Sequence, residues 1–403
     1  MKKYDTSIYL SRDCASIANI GTSWQKCWKS LIAGCQIFSN GADIVPNWPD
    51  CPPLSAIVNF PRITGQPPFV HRTQELTKIV ASEIKIAVEK ILNIDPNLRI
   101  SLLIATSHGD PGPLSTIVDQ TFSEGASEEI APSVWEGVLT DNLVKAANSG
   151  LDNNFPGIVI SAACASSLAA ASYAADRINA NLCDVVLLIG VDTLSRVASV
   201  GFNNIGAMTK TCCKPFDKNR DGTTVGEGAV ALILARDGIL SDENIYGKIS
   251  GTSVCCDATH LVEPNSNGVI SVITNALNQA DISCSQVAGV YWHGTGTHQN
   301  DKIEATVSEI IFGQKSPPCT STKGCLGHTM GASGGFNILA ACASIENQIM
   351  PHVAGTVESE YDVLDLVLYA PRAISSGPML ITALGFGGIN AALVITPKGW
   401  NDQ

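Results

Sequence analysis

The chain has 403 residues, of which 45% are hydrophobic and 15% charged, with a formal net charge of -12 at pH 7. That length allows two ordinary domains or two fused halves of one large fold, and the apolar content favours an α/β protein with deeply buried strands over a disordered or coiled-coil chain. No Lys/Arg stripe able to neutralise phosphates is present, which argues against a nucleic-acid binder, and no apolar run is long enough to span a membrane.

Fourteen cysteines invite a disulfide reading. The opening residues Met1 to Thr6 lack the apolar segment of an export signal, so reduced thiols in a cytoplasmic protein are expected instead. Cys212-Cys213 and Cys255-Cys256 are adjacent rather than separated by two residues, so no metal-ligand spacing emerges.

In chain order, the first seventy residues are rich in proline and yield one helix, at 23–33. Residues 74–92 carry Leu76, Val80, Ile84, Val88 and Ile91 at helical spacing, which predicts an amphipathic helix against a sheet. A buried strand is expected at 99–105, then a Gly/Pro loop at 106–113 whose His108 reads as a loop or core histidine. A looser helical pattern covers 131–147. The run 157–170 reads as a buried strand that turns directly into a small-residue helix, with Cys164 at the corner.

Further strands are predicted at 184–190 and 229–235, the second preceded by the polar, turn-rich stretch 214–222. After a pause at 236–244 the alternation resumes: strand 246–253, helix 269–280, strand 287–292, helix 301–312, a small-residue helix after His328, and strands 379–383 and 391–395. The order of elements suggests two similar halves, 1–240 with Cys164 and 241–403 with two histidine motifs, although no residues repeat at a fixed period.

A cysteine in the first turn of a helix faces unpaired backbone N–H groups and the positive end of the helix dipole, which favour thiolate. The small neighbours Ala163, Ala165 and Ser166 leave room for a carbonyl to reach the sulfur. His293, in Tyr291-Trp292-His293-Gly294-Thr295-Gly296-Thr297, ends a strand, where ligands bind in α/β sheets, and His328 precedes a helix.

Taken together, Ala162-Ala163-Cys164-Ala165-Ser166-Ser167, His293-Gly294-Thr295-Gly296-Thr297, Lys323 ahead of Gly327-His328, and Gly385-Phe386-Gly387-Gly388-Ile389-Asn390 resemble a β-ketoacyl synthase of the thiolase-fold superfamily, of the type II fatty-acid or polyketide kind. Lys214-Pro215-Phe216-Asp217, Arg220-Asp221-Gly222, Gly226-Glu227-Gly228 and Asp257-Ala258-Thr259-His260 fit the same pattern, in family order, over about 158–395. The resemblance implies a layered α-β-α-β-α fold of two like halves and no cofactor.

It further implies that Cys164 takes an acyl chain from a carrier-protein thioester, and that His293 and His328 donate hydrogen bonds to a malonyl-type extender as carbon dioxide leaves. The backbone N–H groups of Cys164 and Phe386 would hold the oxyanion, Phe386 would gate the acyl tunnel, and Lys323 and Glu304, which pair near the histidines in the family, would take orienting roles. The partners implied are an acyl carrier protein and a second ketosynthase-like subunit, identical or related.

Two departures stand out. Gly206 replaces an arginine often used by the fatty-acid branch, leaving Lys210, Arg62 and Arg72 as candidates for a basic patch facing an acidic carrier, and the opening segment lacks the usual glycine-rich strand, which favours a specialised pathway. A non-elongating acyltransferase on the same scaffold remains the alternative, as does one subunit of a ketosynthase/chain-length-factor pair. A thiolase would need a second cysteine where Phe386 stands.

Overall fold

All six residues of Ile100–Ala105 and all eight of Val185–Asp192 are buried, as continuous apolar runs require when a strand is covered on both faces. The computed structural model describes residues 6–45, 48, 50–57, 71–122 and 132–400. Its strands are β1 (Ile8–Ser11), β2 (Ala15–Ala18), β3 (Ile100–Ala105), β4 (Gly157–Ile160), β5 (Val185–Asp192), β6 (Gly228–Arg236), β7 (Ile245–Cys256), β8 (Gly289–Tyr291), β9 (Cys319–Thr320), β10 (Ile349–Met350), β11 (Arg372–Ala373), β12 (Met379–Gly385) and β13 (Ile389–Thr396).

Eleven of these form one sheet in the order β4-β3-β5-β6-β1-β7-β13-β12-β8-β9, with β2 also on β6, while β10 and β11 make a separate ribbon. Read outward from the β1–β7 seam, both sides repeat one plan. With β2 continuing β1, the order in each half is first, fifth, fourth, second and third strand: β1-β6-β5-β3-β4 on one side and β7-β13-β12-β8-β9 on the other. Orientations repeat too, since β5, β3 and β4 are mutually parallel, as are β12, β8 and β9, whereas β6 and β13 run antiparallel to their neighbours.

Helices Ser166–Asn179 and Ser333–Asn347 lie between the halves, where Leu168, Ala171, Ala175, Phe336 and Leu339 pack with Leu188 and Leu232 from one half and Ile381 and Leu393 from the other. Alanine-rich surfaces let these helices come close: a Cβ on Gly334 would lie 3.0 Å from Leu168 Cγ. Helices Arg72–Ile94 and Asp141–Leu151 cover the outer face of the first half, and Ser266–Ala280 and His298–Phe312 that of the second. The result is the expected five-layer α-β-α-β-α arrangement.

Several sequence expectations change in detail: the strand before Cys164, expected to be buried, is β4 at the sheet edge, with Ile158 exposed. The first seventy residues hold β1, β2 and the short helix Gly41–Ile44 besides helix Trp24–Ile32, whose cap is Ser23. The pattern at 131–147 divides into helices Pro132–Gly137 and Asp141–Leu151, and a further helix, Arg196–Asn204, was not anticipated. All fourteen cysteines are free thiols, and no described helix is long and apolar enough to cross a membrane.

Candidate active site

Cys164 sits just ahead of helix Ser166–Asn179, one residue before its N-cap Ala165, rather than inside the first turn. The corner is tight, with Ala163 at φ +48°, and Ser166 staples it: its Oγ accepts from the Ala162 N–H at 2.9 Å and lies 3.0 Å from the Thr106 carbonyl. The expectation of a thiolate is not met. Burial pushes the Cys164 thiol up to about 12, and the nearby Lys323 ammonium offsets this only in part.

His328 Nε2 lies 3.1 Å from Cys164 Sγ. The Met330 N–H donates to His328 Nδ1 at 3.3 Å, so Nδ1 is an acceptor and the ring proton resides on Nε2, aimed at the sulfur. His293, at the end of β8, stands edge-on to His328 with ring centroids 5.3 Å apart. Lys323 Nζ is 3.3 Å from His293 Nδ1 and also donates to the His293 carbonyl, which places this ring's proton on Nε2 as well. Both imidazoles are held neutral well below the usual histidine range, first by burial and then by the Lys323 charge.

Glu304 grips the turn after β8. One carboxylate oxygen accepts from the His293 N–H (2.7 Å) and the Thr382 hydroxyl (3.0 Å), the other from the Gly294 N–H (2.7 Å) and Asn300 Nδ2 (2.9 Å). No direct Lys323–Glu304 ion pair forms among the described residues: the two hold His293 from opposite sides, Lys323 through its carbonyl and ring, Glu304 through its amide. Burial raises Glu304 to about 7 and lowers Lys323.

Sequence reasoning missed the neighbouring clamp. Asp301, one helical turn before Glu304, accepts from the N–H groups of Thr295 (3.1 Å), Gly296 (3.2 Å) and Phe216 (2.6 Å), and Arg220 Nε lies 3.4 Å from it. Asp192, at the end of β5, accepts from Thr106 Oγ1 (2.7 Å), Ser107 N–H (2.9 Å) and Gly331 N–H (2.6 Å), tying the loop after β3 to the segment after His328. The available signals were an acid in the first helical turn after a glycine-rich turn, for Asp301, and an acid ending an apolar strand, for Asp192.

Phe386 lies in the turn between β12 and β13, where Gly387 and Gly388 take φ +84° and +82°. Asp257 fastens this turn, accepting from Asn390 Nδ2 at 2.8 Å while its N–H donates to the Gly388 carbonyl at 2.9 Å. Gly385 abuts the Cys164 corner: a Cβ there would sit 2.9 Å from the Ala162 carbonyl oxygen and 3.4 Å from the Cys164 amide nitrogen. The rings of Phe386 and Phe202 lie 5.4 Å apart.

Two cavities meet at Cys164, Phe202, Ile205, Val262 and Phe386. One, of about 220 Å³, is lined by both histidines, Thr295, Thr297, Asn300 and Asp221. The other, of about 460 Å³, is mostly apolar and runs past Leu114, Val138, Val197, Leu261 and Met330.

The basic-patch candidates fare unevenly. Arg72 is buried and bonds Glu227 through Nε (2.7 Å) and Nη2 (2.5 Å), so it is a core ion pair and no part of a surface patch. Lys210 is exposed, and Arg62 lies outside the described residues.

Residues 92–238 match the family description "Beta-ketoacyl synthase, N-terminal domain" and 246–356 "Beta-ketoacyl synthase, C-terminal domain". The 3-oxoacyl-[acyl-carrier-protein] synthase 2 of Mycobacterium leprae is 29% identical over 315 residues, 74% of this chain and 74% of that protein. The tetracenomycin polyketide synthase ketoacyl synthase alpha subunit of Streptomyces glaucescens is 30% identical over 258 residues, 60% of this chain and 61% of that one. Among solved structures, the ishigamide ketosynthase/chain length factor superposes with a TM-score of 0.88 at 24% identity, covering 98% of this chain and 100% of that chain, and a β-ketoacyl synthase from Burkholderia phymatum with 0.85 at 22%, covering 97% and 99%.

The chain belongs to the β-ketoacyl synthase family, on the thiolase-like fold. It is a condensing acyltransferase of fatty-acid or polyketide biosynthesis.

Proposed function

We propose that the protein condenses an acyl chain held on Cys164 with a malonyl-type extender, both delivered by an acyl carrier protein. Cys164 attacks the acyl-carrier thioester; the acyl–sulfur bond to the carrier breaks, and the Cys164 proton ends on the departing carrier thiol. The N–H groups of Cys164 and Phe386 hold the oxyanion of this step, consistent with the close approach of the Gly385 turn to the Cys164 corner. Phe386 and Phe202 stand where the two cavities meet, so the acyl chain occupies the apolar one while the carrier arm enters by the polar one.

In the second half, the extender's thioester oxygen takes hydrogen bonds from His293 and His328 Nε2–H. Its carboxylate leaves as carbon dioxide, the electron pair forms an enolate, and the enolate carbon attacks the Cys164 thioester. The carbon–sulfur bond breaks and the sulfur recovers a proton from solvent. Lys323 and Glu304 orient His293 and do not touch the reacting atoms. The observation that carries this reading is a sulfur 3.1 Å from one imidazole and a second imidazole edge-on to the first, both fixed as Nε2–H donors in one buried pocket.

The same reading takes 1–240 and 241–403 as two thiolase-like halves, the protein as cytoplasmic, and the active form as a dimer. β4, at the sheet edge with Ile158 exposed, is the strand available to a second subunit, identical or related. Because Cys164 is present, this chain is the condensing member of any unequal pair. Incubation with acyl and malonyl carrier thioesters tests the proposal: carbon dioxide and a product two carbons longer are expected, whereas acyl transfer without either selects the non-elongating acyltransferase.

A further inference from the structure

The apolar cavity contains one feature a plain alkyl chain does not use. Among its lining residues, three carry polar side-chain atoms in the loop after β3: Ser107, His108 and Asp110. Two are already engaged. Ser107 Oγ lies 2.7 Å from His108 Nδ1, and Asp110 accepts from Gln74 Nε2 at 3.0 Å and the Gly112 N–H at 3.4 Å.

His108 differs. Its Nδ1 faces Ser107 Oγ and, at 3.4 Å, the buried carboxylate of Asp192, which favours the proton on Nδ1. Nε2 has no partner among the described residues, and 26% of the side chain stays exposed. Asp192 is itself anchored by three donors, so the imidazole is set on a rigid mount. Burying an acceptor nitrogen against methylene groups forfeits its hydrogen bond to water, whereas a hydroxyl on the chain restores one.

We infer that His108 is a specificity-determining residue that selects acyl chains bearing a hydroxyl group, through a hydrogen bond from that hydroxyl to Nε2. This rests on the reading of Cys164 as the acyl acceptor and adds the class of chain it accepts.

The test is competitive loading of the full-length protein with the N-acetylcysteamine thioesters of octanoate and of 3-, 5- and 7-hydroxyoctanoate, read by intact mass and by mapping of the modified cysteine. At least one hydroxylated chain is expected to load about fivefold faster than octanoate, the worth of one ordinary hydrogen bond. His108→Leu should erase that preference while loading octanoate, and His108→Gln, which keeps a polar end, should retain part of it. Octanoate loading by each variant reports that the loop is intact. If no hydroxylated chain outcompetes octanoate in the unmodified protein, or if the preference survives His108→Leu, the inference is wrong. Failure of every chain to modify Cys164 would instead overturn the reading beneath it.

Discussion

Lys323→Met removes an ammonium and keeps an unbranched side chain of similar length, so it isolates the fixing of the His293 ring. Lys323 Nζ is 3.3 Å from His293 Nδ1 and also bonds the His293 carbonyl. Without it Nδ1 is free to carry the proton, and the Nε2–H that meets the extender's oxygen is no longer guaranteed. Losing one donor to a developing oxyanion costs about 100-fold or more, about 2.7 kcal/mol of barrier.

Acyl loading should suffer less, because Lys323 acts on Cys164 only through its charge, which holds that thiol slightly down. The same charge holds both histidines down, so the acid limb of decarboxylation should move to higher pH in the variant. Stability should fall by about 1–3 kcal/mol, since the buried His293 carbonyl loses its donor. The assays are carbon dioxide release from a malonyl carrier, intact-mass loading of Cys164, and urea denaturation. Decarboxylation at the unmodified rate, or equal losses in both half-reactions, would refute the orienting role.

Cys164→Ala should abolish acyl labelling in intact-mass measurements, and labelling that persists on another cysteine would defeat the assignment. Neither imidazole should give decarboxylation an inflection near pH 6.5, because both are already neutral there, and a step from Glu304 falls near 7; an inflection near 6.5 that survives Glu304→Gln would contradict it. With the folded histidine values below 6.5, the unfolded chain binds more protons on the acid side. The stability they contribute is therefore present above about pH 6.5 and lost as pH falls below it, visible as a declining urea midpoint. Arg72→Leu should cost about 3–5 kcal/mol in the same titration by stranding the buried Glu227, and an unchanged midpoint would show that the pair is not holding the core. Gly385→Ala should slow condensation at least tenfold, since its Cβ would press on the Ala162 carbonyl beside the Cys164 amide; unchanged turnover would show that this turn does not shape the oxyanion site.

What could be read in advance was local. Continuous apolar runs announce β3, β5 and β6, and the helical spacing from Leu76 to Ile91 announces Arg72–Ile94, because each pattern is written in neighbouring residues. β1 and β2 are four residues each and carry too short a pattern to separate from loop, yet β1 joins the two halves through β6 and β7. Partnerships across long separations were equally hidden: Asp301 with Phe216 spans 85 residues and Arg72 with Glu227 spans 155. The state of Cys164 failed for a related reason. Its place before a helix is a local property, but its burial is assembled by distant residues, among them His328 and Gly385, and burial outweighs the helix end.

The raised Cys164 thiol does not conflict with a nucleophilic role once the proton is followed through the reaction. With Nε2 of His328 already protonated, that atom cannot take the thiol proton, so the ring serves as a donor and not as a base. Thiol–thioester exchange needs no net base, because one thiol is consumed and one released, and the proton passes from Cys164 to the carrier. The proposed condensation makes the opposite demand: carbon dioxide would leave behind an enolate, and the N–H donors of His293 and His328, both buried, would stabilise its negative charge more than they could in solvent. One buried environment thus penalises the resting thiolate and would strengthen both donors on which the proposed enolate depends. Burial of Cys164, His293 and His328 together favours the carbon–carbon bond-forming half of the cycle, at the expense of a permanently ionised sulfur.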